Sequence, residues 1–148
     1  MKKMKIKKIA VPYDGSINSK HAFNTALDLA GKYKAKLILV TCIEKINGSL
    51  FGKDLSLSNQ KQVQKFKEKI SRDISKLEAI AKKQKISMTS KILITDHPMK
   101  KILSFTKQTQ MDLIVMGSHG RTGLDKLILG SVANGVVQRS KIPVLIVR

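Results

Sequence analysis

Short apolar runs alternate with stretches whose apolar residues recur every three or four positions, and the alternation continues along the whole 148-residue chain. Ile9-Ala10-Val11 predicts a short buried strand, stopped by Pro12 and the turn pair Asp14-Gly15. Ser16 or Ser19 then offers a helix N-cap. Ala22, Ala26, Leu29 and Ala30 follow at helical spacing, and Gly31 is the expected end of that helix. Leu37–Ile43 is apolar on both faces, as a central parallel strand must be. Residues 44–59 carry serines and glycines with little periodicity, which predicts a loop of functional or mobile character. From Gln60 to Gln84, the residues Val63, Phe66, Ile70, Ile74, Leu77 and Ala81 fall on one stripe, with the lysines mostly off it. That is a long helix with a core-facing stripe and a solvated basic face. Ile86–Thr95 reads as a third strand, and Pro98 opens a helix over Met99–Thr109 with Ile102 and Leu103 inward. Leu113–Met116 is a fourth strand, Ser131–Ser140 a fourth helix and Val144–Val147 a fifth strand.

This order predicts an α/β fold: one open-twisted five-stranded parallel sheet, Rossmann-like, with helices on both faces and one domain over 1–148. In such sheets ligands sit beyond the carboxyl ends of the strands, where chain order reverses. Two segments fall at that edge, Pro12–Ser16 and the stretch from Gly117 onward.

Composition narrows the class. Apolar runs stop at about five or six residues, against the roughly 20 that span a bilayer, so no membrane segment is expected. Basic Met1–Lys8 is followed by no signal-peptide apolar region, and a cytoplasmic location is expected. The one cysteine, Cys42, lies in an apolar run and reads as a small core residue. Twenty-nine Lys and Arg against ten Asp and Glu give a net charge of +19, which makes nucleic acid, anionic membranes and phosphate ligands candidate partners. Yet the lysines are spread along the chain, and two Tyr, four Phe and no Trp offer little of the stacking platform that single-strand binders use. Solvated lysine faces are the simpler account, and nucleic acid is not the partner expected on this reading.

The segment Met116-Gly117-Ser118-His119-Gly120-Arg121-Thr122-Gly123, followed by Gly130-Ser131-Val132, carries the candidate chemistry. Glycines let backbone amides approach anionic oxygens closely. Ser131, expected as a helix N-cap, adds its hydroxyl and the free amides of a first turn. A glycine-rich turn with no ligand is the bland alternative, and glycine loops alone are weak evidence. Neither Gly-x₄-Gly-Lys-Ser/Thr nor Gly-x-Gly-x₂-Gly occurs, and His21, His97, His119 and Cys42 lack metal-ligand spacing. His119 reads as a phosphate contact before a general base. No catalytic residue and no protein metal site are predicted, though Asp14 or Asp125 could touch magnesium through water.

Gly117-x₂-Gly120-x₉-Gly130-Ser131, the opening Ile9-Ala10-Val11-Pro12-Tyr13-Asp14-Gly15-Ser16 and the closing Ile142-Pro143-Val144-Leu145-Ile146-Val147 together resemble the ATP-binding universal stress proteins from end to end. The resemblance implies ATP, with or without Mg²⁺, between the tips of strands one and four. It places Pro12 and Asp14 beside adenine and ribose, and Val40 against adenine through its backbone. Gly117, Ser118, His119, Gly120, Arg121 and Thr122 would wrap the phosphates, joined by Gly130, Ser131 and Val132, with Met116 also among the nucleotide-binding residues. It also implies a homodimer through the edge strand Val144–Val147 and a sensor or regulatory role in stress response, with slow ATP hydrolysis or phosphotransfer as the alternative. Where the family usually has glycine two residues before the proline opening helix three, this chain has Asp96-His97-Pro98, and Asp96 could crowd that corner of the pocket or add a carboxylate to it.

Overall fold

The computed structural model describes residues 3–44, 57–120 and 128–148. Within them strand and helix alternate: β1 Lys8–Pro12, α1 Ile17–Tyr33, β2 Lys36–Ile43, α2 Leu57–Lys83, β3 Met88–Ile94, α3 Pro98–Gln108, β4 Leu113–Gly117, α4 Ser131–Arg139 and β5 Val144–Val147. The five strands form one all-parallel sheet in the order β3-β2-β1-β4-β5. The chain therefore steps outward from β1 to β3 and then returns to the other side of β1. Chain order reverses between β1 and β4.

Alternation along each strand divides the core in two. Ile9, Val11, Leu37, Leu39, Leu113 and Val115 face α1 and α2, meeting Phe23, Ala26, Ile70 and Leu77. Ala10, Ile38, Val40, Ile114 and Met116 face α3 and α4, meeting Ile102, Ala133 and Val136. Two-sided coverage is why these strands read as continuous apolar runs. On the second face α3 and α4 lie so close that a Cβ on Gly135 would come within 2.7 Å of the Met99 side chain.

Three local expectations are revised. Helix α1 runs through Gly31 to Tyr33, and Lys34, at φ 54°, takes the left-handed cap position with its amide donating to the Ala30 carbonyl. The extra turn delivers Lys36 to β1, where its amide bonds the Lys7 carbonyl at 2.8 Å. Helix α2 begins at Leu57, so Leu57–Asn59 are helical and 45–56 of the predicted loop lie outside the described residues. The third strand starts at Met88 instead of Ile86.

Pairing is uneven across the reversal. Strands β1 and β2 share five registered pairs, whereas β1 and β4 share two, Ile9–Leu113 and Ala10–Ile114. At the amino end the Asp112 carboxylate accepts from the Lys7 and Lys8 amides at 2.9 Å each and holds the two strands together. Toward the carboxyl end the tips part.

Candidate functional site

The parted tips are built by short-range rules. Pro12 ends β1, and Tyr13 turns its amide to the Val40 carbonyl at 2.8 Å while its own carbonyl accepts from the Thr41 hydroxyl at 2.8 Å. The Asp14 carboxylate accepts from the Ser16 amide at 2.9 Å, an Asx turn that Gly15 completes at φ +82°. Ser16 then caps α1, its hydroxyl accepting from the Ser19 amide at 3.2 Å. These bonds fix the Asp14 carboxylate at the cleft mouth. A Cβ on Gly120 would sit 2.8 Å from its Oδ2 atom, so β1 tip and β4 loop meet there.

On the other side, the Ser118 amide donates to the Val147 carbonyl at 2.9 Å, and the Gly130 amide returns to the Ser118 carbonyl at 2.8 Å. The loop leaving β4 and the turn entering α4 are thereby pinned together. Gly117 is held by packing: a Cβ there would come within 2.8 Å of the Asn18 backbone. The Ser118 hydroxyl and His119 Nδ1 are 2.9 Å apart, and His119 Nε2 is buried with no partner among the described residues. A buried unpaired nitrogen carries a desolvation cost until something bonds it.

One expected role changes hands. Gly130, not Ser131, is the N-cap of α4, and no side chain caps that helix. Gly130 is extended (ψ 155°) while its carbonyl accepts from the Asn134 amide at 2.9 Å, which makes Ser131 the first full helical residue. With no capping hydroxyl, the first-turn amides of Ser131, Val132 and Ala133 keep the unmet donor capacity of a helix start.

A cavity of about 550 Å³ lies between the tips, a size typical of small-molecule sites. Pro12 and Asp14 line it from β1, Val40 from β2, and Met116 and Gly117 from β4. Ser118, His119 and Gly120 follow, then Gly130, Ser131 and Val132. Arg121 and Thr122 lie outside the described residues. Val40 borders the cavity, but its carbonyl already accepts from Tyr13.

Sequence reasoning passes over Cys42, Glu44, Pro98 and Ile102, which also line the cavity. Alternation carries the signal for Cys42, two residues beyond Val40 on the same strand face. Burial pushes its thiol up to about 11, with the Lys101 charge pulling the other way. Of Asp96-His97-Pro98, it is Pro98, at the first turn of α3, that reaches the cavity wall. Tyr13 stands in the sequence only as a turn neighbour. Its ring is buried and its hydroxyl donates to the Asp73 carboxylate of α2 at 2.8 Å. Burial, then that hydrogen bond, then the Asp73 and Asp14 charges all push the phenol well above its ordinary value.

The cavity joins an apolar wall (Val40, Cys42, Ile102, Met116) to a wall of glycine-rich backbone, hydroxyls and a helix start. That arrangement suits a planar apolar-faced group carrying an anion. No group of three or more His, Cys, Asp or Glu among the described residues is placed to hold a metal ion. No helix among them is long and apolar enough to cross a membrane.

Comparison with known proteins matches residues 5–148 to the model of the universal stress protein family. A universal stress protein of Methanocaldococcus jannaschii is 30% identical over 142 residues, covering 96% of this chain and 82% of that one. One from Mycobacterium tuberculosis is 29% identical over 141 residues, and the match covers 95% of this chain but 45% of that longer relative. Among solved structures, the universal stress protein UspA of Lactobacillus plantarum superposes with a TM-score of 0.84 at 19% identity, covering 97% of this chain and 99% of that one. An Archaeoglobus fulgidus universal stress protein solved in complex with dAMP gives 0.62 at 18% identity, covering 99% and 100%.

Proposed function

The chain belongs to the universal stress protein family, and from that premise we propose that it binds an adenine nucleotide, ATP first among them, as a sensor or regulatory module of a stress response. The observation that carries this reading is the junction of the two walls at the β1–β4 reversal. A base-sized apolar slot there opens directly onto the Ser118–Gly120 backbone and the start of α4. Asp14, fixed by the Ser16 amide, offers its carboxylate to ribose hydroxyls. Cys42 and Ile102 extend the apolar wall beyond Val40 and receive the base. The amides of His119 and Gly120 and of the first turn of α4, together with His119 Nε2, donate to phosphate oxygens. Arg121 and Thr122 join them by the resemblance of their motif. The A. fulgidus relative, whose structure contains dAMP, supports an adenine nucleotide as the ligand class.

Any Mg²⁺ is held mainly by the phosphates, as expected for a cation that keeps its waters. The chain acts in the cytoplasm as a homodimer joined through β5, whose Leu145 side chain is 39% exposed on an edge strand. Removing residues 144–148 is expected to yield monomers in sedimentation.

The reading is tested by denaturing freshly purified protein, assaying the supernatant for nucleotide, and titrating the stripped chain with ATP and Mg²⁺ by calorimetry. One-to-one binding per chain, competed by ADP and AMP but not by GTP, is expected. Absence of released nucleotide and of binding heat at millimolar ATP overturns it.

A further inference from the structure

The edge of the sheet opposite the cleft carries a feature that the linear sequence conceals. Three separate segments reach it, and each brings three exposed lysines. The N-terminal stretch supplies Lys3, Lys5 and Lys7. The α1–β2 turn supplies Lys32, Lys34 and Lys36, and the α2–β3 turn supplies Lys82, Lys83 and Lys85. Backbone hydrogen bonds lay these segments side by side. The Lys36 amide donates to the Lys7 carbonyl at 2.8 Å, and the Leu37 amide to the Ser87 carbonyl at 2.9 Å. Residues 3–8, 32–36 and 82–87 contain no Asp or Glu. Asp112 reaches the same edge from β4, but its carboxylate is engaged by the Lys7 and Lys8 amides.

Cations at helix C-termini complement the helix dipole, and one or two at each end would suffice for that. This edge goes further. Lys34 (φ 54°) and Lys85 (φ 58°) occupy left-handed turn positions where glycine or asparagine is the ordinary choice. Charge is present even where the backbone disfavours a lysine.

We propose that this amino edge is a docking surface for the phosphate backbone of double-stranded nucleic acid, bound without regard to base sequence. Lysines that look evenly spread along the chain are concentrated here by the sheet. Nine like charges gathered on one face match a dense line of phosphates, and counter-ion release drives the association. All nine are lysines, point charges without the planar fork by which arginine reads base edges. Tyr33 is an exposed aromatic at the edge, so a single-stranded partner finds no platform of rings on which to stack. A membrane-bound surface of this charge adds an apolar face for insertion. Here the buried apolar stripes of the helices are turned into the core, and the large apolar side chains exposed near the edge among the described residues, Met4, Tyr33 and Ile80, come singly from three segments. The surface is independent of the nucleotide cleft, because a parallel sheet puts its strand starts and strand tips at opposite ends.

The full chain is titrated against a short fluorescein-labelled DNA duplex, with anisotropy read across a salt series. Affinity is expected to fall steeply with salt. A triple variant of this edge (Lys5→Glu, Lys36→Glu, Lys83→Glu) should lose at least about tenfold in affinity and lower the salt slope by about three. A control with the same change in net charge on other faces (Lys61→Glu, Lys76→Glu, Lys100→Glu) should lose less than about threefold. ATP titration and thermal melting of both variants establish that each is folded. Equal loss in the two variants, absence of duplex binding at low salt, or tighter retention by anionic phosphatidylserine vesicles than by duplex at matched salt each overturns the proposal.

Discussion

The two faces of the sheet are built from the same strands yet end differently. On one face α1 and α2 cover Ile9, Val11, Leu37, Leu39 and Val115 almost completely, and Phe23 fills the space between. On the other, the same alternation continues through Ala10, Ile38, Val40 and Ile114, but the residues nearest the carboxyl edge border a cavity. The difference lies in the helices that cover each face. Helix α2 has 27 residues, roughly 40 Å, whereas α4 has nine, roughly 13 Å. Helix α4 begins at the carboxyl edge, and its first residues, Ser131–Ala133, line the cleft instead of covering the strand tips. The cleft is the part of the second core that α4 leaves uncovered, so residues of identical apolar character serve stability on one face and a ligand wall on the other.

That contrast can be broken most forcefully at Phe23. Truncation to Ala empties the middle of the closed face and should cost about 3–5 kcal/mol in urea unfolding, with nucleotide affinity unchanged in whatever fraction remains folded.

The paired glycines sharpen it next. Gly117→Ala drives a methyl into the Asn18 backbone and should cost about 1–3 kcal/mol, since neither partner has room to yield. Gly120→Ala meets only the end of the Asp14 side chain and should stay within about 0.5 kcal/mol of wild type. By displacing that carboxylate it should still weaken ATP about tenfold in calorimetry. A large stability loss at Gly120 would erase the distinction.

Tyr13→Phe tests the tie between the β1 tip and α2 on the closed face. It removes the buried hydroxyl from Asp73 and should destabilise by about 1–2 kcal/mol, read by thermal melting.

The last test lies at Cys42, on the cavity wall. Its thiol is held up near 11 by burial, so the neutral form is the stabilising one. That contribution is full below the ordinary thiol value of 9.0 and is lost as pH rises through about 11. Alkylation near pH 8 should therefore run about a hundredfold slower than for a free cysteine, and accelerate steadily to pH 11.

Much of this architecture is legible from local pattern. Leu37–Ile43 and Leu113–Met116 announce two-sided burial by themselves, and Asp14-Gly15-Ser16 announces a turn into a capped helix. Two helix ends escape such reading because a residue's capping habit is a weak local preference. Gly31 fits inside α1 as readily as beyond it, and the αL position falls to Lys34. Ser131 has the chemistry of a cap, but the Asn134 amide bonds the Gly130 carbonyl instead. The cavity wall is incomplete in sequence for a different reason. Pro98 and Ile102 reach it only through the placement of α3 against β2, and the Tyr13–Asp73 bond joins residues 60 positions apart. Pairing at that range leaves no trace in periodicity. The lysine edge is hidden likewise, since three ordinary clusters become one surface only when the strand starts align.

The unequal pairing around β1 has a mechanical consequence. Tyr13 bonds outward to β2 and Ser118 outward to β5, so each tip is tied to its own side of the sheet and neither amide bonds across the middle. The sheet is thus two leaves, β3-β2-β1 and β4-β5, bonded together at Asp112 and meeting at the opposite end only by packing, Gly117 on Asn18 and Gly120 on Asp14. A molecule touching both Asp14 and the Ser118–Gly120 backbone is a rivet through the open end. Its binding would register as slower breathing of the leaves, and amide exchange at Ile9 and Ala10, along the hinge line, would be the place to time it.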